Sequence, residues 1–385
     1  LNVLRKLASG QTIAERLAEK KVTTGFDYLR IVLAALVVAW HSMQLSYGDA
    51  YYRAFWQSPW RPAAFFVIPC FFTLSGYLVA GSLDRVKSIF EFVMLRVLRI
   101  VPALFVEILL SAFILGPLLT TVPLSQYFSS TELYSYFLNV IGYIHYTLPG
   151  MFPYNPYPHI VNAQLWTIPY ELQCYIALTL TAIVWAFWRH SWNKISLGQD
   201  RVVFLVLTLG LNFAAVAYFA LAKHHSLLRL FEAANGPMLV MQFLTGVCFH
   251  LWRDKIVLNR WLFLGSVVAS WLLTIHYQTE YLAILPLAYV TVYLGLLSPP
   301  KKWLFGGADF SYGLYLFGWP IQQTFEQLFP QYRFWWACLA FSLVLGLLYA
   351  AFSWHCIEKP INDRKKTIIA TLQALFSRPL TQPAG

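Results

Sequence analysis

Arg30 and His41 stand eleven positions apart inside the apolar stretch FDYLRIVLAALVVAWH, Phe26 to His41. In an α-helix of about 3.6 residues per turn that interval is about three turns, so both side chains share a face roughly 16 Å apart along the axis. This is about half of a hydrocarbon core roughly 30 Å thick. With Arg30 at one water interface, His41 reaches the midplane, where an ionisable side chain is costly and marks a functional candidate. Ala34, Val37 and Val38 on the same face are small and leave room for a slender ligand. The stretch alone also allows an arginine that snorkels to headgroups and a histidine that bonds a neighbouring helix.

Other residues suit the same chemistry. In RVLRIVP, Arg96 and Arg99 lie three apart and share a helical face, as a phosphorylated ligand at a membrane entrance would require. In QLWTIPYELQCY, Glu171 sits at a depth compatible with His41, and a carboxylate beside an imidazole orients the ring and favours its protonated form, the equipment of a general base. Ser75 and Gly76 in FFTLSGYLVAG make a small surface for a helix or a ligand, and Asp27 lies one turn before Arg30. Glu107 and Glu326 are further intramembrane carboxylates without a motif around them.

The elements that must position these residues are membrane helices. Of 385 residues, 58% are hydrophobic, 18% aromatic and only 12% charged, which excludes an ordinary soluble domain. The 28 Lys and Arg against 17 Asp and Glu follow from the positive-inside rule and need no nucleic-acid partner. Cys70, Cys174, Cys248, Cys338 and Cys356 have no metal-type spacing and read as small core residues, so neither a metal site nor a disulfide framework is expected.

Runs of spanning length at 29–47, 63–83, 100–119, 166–188, 202–222, 235–252, 261–276, 281–297, 311–329 and 334–357 predict an all-α, polytopic bundle of about ten transmembrane helices. The stretch 133–148 is read as re-entrant or interfacial, because counting it as a span would put the basic loop 189–201 outside. Both termini are then cytoplasmic, together with loops 84–99 and 253–260, Lys301, Lys302 and the tail bearing Arg364, Lys365 and Lys366. Only 223–233, with Lys223 and Arg229, runs against the rule. The expected divisions are a cytoplasmic segment 1–25 without a cleavable signal, a membrane domain 26–360, and a tail 361–385 whose stretch 367–380 lies along the inner interface. PGMFPYNPYPHIVNAQ, within 118–165, is loop material whose aromatic and amide side chains suit either an interfacial belt or a platform for sugars. No internal repeat is apparent.

The Arg30 to His41 spacing resembles the signature of the integral membrane acyltransferase-3 family, and later motifs extend the likeness. FSYGLYLFGWP carries Ser311, Tyr312, Gly313 and Tyr315, similar to the family's serine-tyrosine-glycine-x-tyrosine helix, and IEKP carries Glu358 and Pro360. The family often has histidine where this chain has Gly318, which shifts the burden to His41. The likeness runs from Phe26 to about Pro360. It implies a multi-pass protein of the bacterial inner membrane, surrounded by lipid, that moves an acetyl group from cytoplasmic acetyl-CoA, a co-substrate, to a hydroxyl of a carbohydrate. The acceptor class is a surface polysaccharide, such as exopolysaccharide or lipopolysaccharide, or its lipid-linked precursor, with separate glycan-assembly proteins as partners. Arg30, Arg96 and Arg99 would hold the acyl-CoA, His41 would act as general base or transient acyl acceptor, and Glu171 would orient it. Asp27, Ser75, Ser311 and Tyr315 are supporting candidates, the second and last for the oxyanion. A proton-coupled transporter or flippase of an acylated or glycan substrate explains the buried charges equally, and the paired arginines and the order of motifs less well.

Overall fold

The computed structural model describes residues 10–19, 23–188, 201–202, 205–206, 210, 235–300 and 308–376. The chain starts with β1 (Gln11–Thr12) and the short helix α1 (Ile13–Glu19). Thr12 Oγ1 accepts from the Glu15 amide at 3.2 Å while the Glu15 carboxylate accepts from the Thr12 amide at 2.7 Å, a reciprocal cap that starts α1. β1 pairs antiparallel with β2 (Val257–Leu258), and Ile13 is fully buried beneath this strap.

α2 (Gly25–Trp56) carries the Arg30 to His41 stretch. Gly48 breaks it with φ of +75°, a conformation that a side chain disfavours, and the Pro156 carbonyl lies 2.8 Å from where a β-carbon would sit. The break lets the loop 143–162 close onto the helix. After a turn at Arg61–Phe65 comes α3 (Val67–Leu83), then α4 (Ile89–Leu110), capped by Ser88, whose hydroxyl accepts from the Glu91 amide at 3.1 Å. α5 (Ile168–Trp188) follows the long loop, and α6 (Asn235–Leu251) packs on α3 with Gly76 against the Phe243 backbone and Gly246 against the Thr73 backbone. A β-carbon at either glycine would meet a carbonyl, so the small surface at Ser75–Gly76 serves helix packing at its glycine.

α7 (Arg260–Thr274) and α8 (Ile284–Gly295) are short and apolar. α9 (Ser311–Leu328) crosses behind α2, and α10 (Trp335–Ser353) passes through a π turn at Trp354–Glu358 into α11 (Lys359–Phe376). α11 buries Ile369 and packs against α4.

Among the described residues, five helical stretches are long and apolar enough to cross a membrane: Gly25–Trp56, Arg61–Leu83, Ile89–Leu119, Ala163–Val184 and Trp335–Leu375. The expected spans at 235–252, 261–276 and 281–297 coincide with shorter apolar helices. The span at 311–329 is α9, whose C-terminal half is polar, and most of the run 202–222 lies outside the described residues, as do Lys301, Lys302 and 223–233. The stretch 133–148 is too short in helix to cross, since it ends its last 3-10 turn at Gly142 with φ of +81°. One cysteine departs from expectation: Cys356 is exposed on the π turn, where the extra residue per turn rotates it outward.

At one end of the bundle the β1–α1 strap, the turn after α3 and the loop after α6 meet. His250 Nε2 lies 2.7 Å and Arg253 3.6 Å from Asp84 Oδ2, and the Ile13 amide donates to the Ile256 carbonyl at 3.0 Å. At the other end, glutamines of α9 supply partners to a loop that has no helical hydrogen bonds of its own. Gln323 Nε2 donates to the carbonyls of Tyr157 at 2.8 Å and Ile160 at 2.7 Å, and Asn155 donates back to Gln323 Oε1 at 2.7 Å. The proline-rich stretch is therefore a loop pinned to α9.

Candidate active site

Two cavities lie between these ends. The smaller, about 150 Å³, is lined by Arg30 of α2, Ser75 of α3, Arg96 and Arg99 of α4, Glu171 and Tyr175 of α5, and Ser311, Tyr312 and Tyr315 of α9. Arg99 donates to Asp309 Oδ2 at 2.8 Å and to Glu358 Oε2 at 3.1 Å, and its guanidinium lies 5.3 Å from the Tyr312 ring centre. The π turn after α10 is what directs the buried Glu358 to Arg99. Arg30 shares Asp309 at 3.4 Å and reaches Asp27 at 3.9 Å.

Ser311 donates to Asp309 Oδ1 at 2.5 Å and so orients that carboxylate. Burial alone would raise the Asp309 pKa, but the Arg99 and Arg30 guanidinium groups reverse this and hold it well below the usual carboxylate range. Arg96 differs from its neighbours. It donates to Ser82 Oγ at 3.1 Å and lies 5.7 Å from the Phe92 ring centre and 5.8 Å from that of Tyr175. Among the described residues it pairs with no carboxylate within 4.0 Å, and its buried Nε has no hydrogen-bond partner.

The larger cavity, about 680 Å³, holds His41. Its walls are rich in rings, among them Trp40, Tyr52, Trp56, Tyr157, Trp166 and Trp319. His41 meets Trp319 edge-on at 4.7 Å, and its buried Nδ1 has no hydrogen-bond partner among the described residues. Gln164 lines the same cavity, and its Oε1 is likewise without a partner. Arg61 forms part of this wall too, but it is spent structurally, donating to Glu280 and to the Thr274 carbonyl at 2.7 Å.

Two expectations need correction. Glu171 does not orient His41: it faces the arginine cavity, where Oε1 accepts from the Tyr175 hydroxyl at 2.5 Å, and Gln164 is the side chain beside the imidazole. Depth along the helix was compatible, but α5 is rotated so that Glu171 turns towards α4. The stripe between Arg30 and His41 is open only in part: Val37 lines the His41 cavity, whereas its other two residues are covered. Ala34 and Val38 are fully buried against Phe310, Leu314 and Ala350 of the α9–α10 layer. Ser75 and Tyr315 line the arginine cavity as candidates, with Ser75 Oγ 3.4 Å from the Tyr175 hydroxyl.

A family model described as an acyltransferase domain, that of the acyltransferase-3 family, matches residues 23–354. The chain belongs to this family. It is a membrane protein and an acyltransferase. An O-acetyl transferase of Shigella phage Sf6 is 24% identical over 353 residues, covering 88% of this chain and 96% of the relative. Nodulation protein 10 of Rhizobium leguminosarum bv. viciae is 27% identical over 379 residues, covering 90% and 95%. No solved structure matches the chain.

Within this acyltransferase the motif FSYGLYLFGWP acquires physical content. Ser311 orients Asp309, and Tyr312 donates to the Ile100 carbonyl at 3.0 Å and supports Arg99. Gly313 admits Ala350, whose Cα would lie 2.8 Å from an added β-carbon. The Tyr315 hydroxyl lies 2.7 Å from Thr167 Oγ1 and donates to the Gln164 carbonyl at 2.9 Å. Asp309, Tyr175, Gln164 and Trp319 are the site residues that sequence reasoning missed. Asp309 immediately precedes the motif, two residues before Ser311, and an intramembrane arginine pair without nearby acids was the available signal for it.

Proposed function

We propose that this acyltransferase moves an acetyl group from acetyl-CoA, bound at the arginine cavity, to a carbohydrate hydroxyl bound in the aromatic cavity, with His41 as general base. The observation that carries this reading is the pairing of a cationic cavity with a ring-lined cavity that holds the one histidine of the first long helix. Arg96, without a carboxylate, is the guanidinium available to a phosphate, whereas Arg30 and Arg99 already neutralise Asp309. Faces of tryptophan and tyrosine rings suit sugar rings, and a relative described as an O-acetyl transferase supports acetyl as the group moved.

His41 takes the proton of the acceptor hydroxyl as its oxygen attacks the thioester carbonyl. The carbon–oxygen bond forms, the carbon–sulfur bond breaks, and the proton passes to the CoA thiolate. His41 lines the aromatic cavity, where an acceptor hydroxyl bound among the rings can reach its imidazole.

The topology that fits is about ten spans with both termini cytoplasmic, in a bacterial inner membrane. Arg85, Lys87, Arg253 and Lys255 gather at the strap end, which the positive-inside rule assigns to the cytoplasm. The arginine cavity lies towards that end, joined to it through the Arg96–Ser82 bond, and the His41 cavity lies towards the pinned loop. The deciding experiment is transfer of labelled acetyl from acetyl-CoA by protein in lipid nanodiscs, with and without a crude surface-glycan acceptor. Acceptor-dependent CoA release that His41→Ala abolishes is the expected result. A folded His41→Ala protein that still transfers acetyl overturns the reading.

A further inference from the structure

Among the described residues, Ile68 and Tyr315 alone line both cavities. A branched aliphatic side chain and an aromatic ring therefore stand in the partition between the arginines and His41. The ring is anchored at both ends. Its hydroxyl is held by Thr167 and the Gln164 carbonyl at 2.7 and 2.9 Å, its backbone carbonyl accepts from the Gln164 side chain, and Phe71 lies edge-on at 6.1 Å. The cavity beyond, at about 680 Å³, is too large to discriminate between short acyl groups, so size selection falls to the partition.

We propose that Tyr315 and Ile68 form an acyl-size filter that makes this enzyme specific for short acyl groups. The proposal rests on the functional reading above, in which the thioester reaches His41 from the arginine side. A rigid hydrophobic boundary discriminates roughly 10–200-fold per methylene, so several added methylenes give a measurable selectivity.

The test is kcat/KM for acetyl-, butyryl- and hexanoyl-CoA with one acceptor, for wild type, Tyr315→Phe, Tyr315→Ala and Ile68→Ala in nanodiscs. The hexanoyl-to-acetyl ratio is the readout, because general damage to the fold lowers both numbers together. Wild type is expected to prefer acetyl strongly, and Tyr315→Ala and Ile68→Ala to raise the ratio at least tenfold. Tyr315→Phe, which keeps the ring and loses its anchor, raises it less. Should Tyr315→Ala fail to fold, Ile68→Ala decides by itself. A ratio unchanged within twofold in variants that still turn over acetyl-CoA overturns the filter alone, as does a wild type equally active on both donors. A folded wild type that releases CoA from no donor overturns the functional reading and the filter with it.

Discussion

The Tyr315 hydroxyl donates to the Gln164 carbonyl at 2.9 Å, and the Gln164 side chain donates back to the Tyr315 carbonyl. The two residues are 151 positions apart, and their reciprocal bonds tie α9 to the 3-10 turn that opens α5. The tie also sets Gln164 in the wall beside His41, with Oε1 and Nδ1 the unpartnered atoms.

Gln164→Leu keeps the volume and removes both polar atoms. Transfer is expected to fall about 10²-fold, because Gln164 is the polar side chain that interacts with the His41 ring and leucine cannot hold that ring in place. The KM for acyl-CoA should stay within about twofold, since the arginine cavity does not include this residue. A change in KM alone, with kcat intact, would contradict the positioning role.

His41→Ala should reduce transfer by at least about 10²–10⁴-fold, the usual range for loss of a general base. Its melting temperature in detergent should match wild type, because His41 faces a cavity and makes no hydrogen bond through Nδ1.

Arg96 and Arg99 should separate binding from stability. Arg96→Ala is expected to raise the KM for acyl-CoA about tenfold, the worth of one charge-assisted contact. Arg99→Ala takes the guanidinium from Glu358 and leaves Asp309 with Arg30 alone. The typical loss for a buried pair is an upper bound because the Arg99 side chain is 35% exposed, so about 2 kcal/mol of stability is expected to go. Thermal melts and initial rates on the two variants distinguish these effects.

Acid should weaken the fold at Asp309. Its folded pKa lies below the unfolded value, so its contribution is complete above the unfolded carboxylate pKa of about 4 and is lost as pH falls towards the folded value. Melting temperature is expected to drop from pH 6 to pH 3 more steeply in wild type than in Asp309→Asn, which begins lower at neutral pH. Parallel slopes would remove Asp309 as the responsible group.

The sequence by itself determined the class of the molecule and the local geometry of its charges. Apolar length is a property of contiguous residues, so the long helices were legible, and helical periodicity put Arg96 and Arg99 one turn apart on α4. The proline- and tyrosine-rich stretch was legible as loop, because it cannot sustain helical hydrogen bonds. Its attachment to α9 was not, since nothing local tells Gln323 that its partners are the carbonyls of Tyr157 and Ile160.

Only the tertiary structure decided which way each helix turns. Depth along an axis follows from residue count, whereas the direction a side chain faces relative to other helices depends on how the whole bundle packs. That is why Glu171, at a suitable depth for His41, faces Tyr175 and the arginines, and why Ala34 and Val38 lie under α9 and α10 and form no channel. Arg30 and Arg99 meet their shared carboxylate, Asp309, across 279 and 210 residues, because burying guanidinium groups requires an anion and packing alone selects which one arrives.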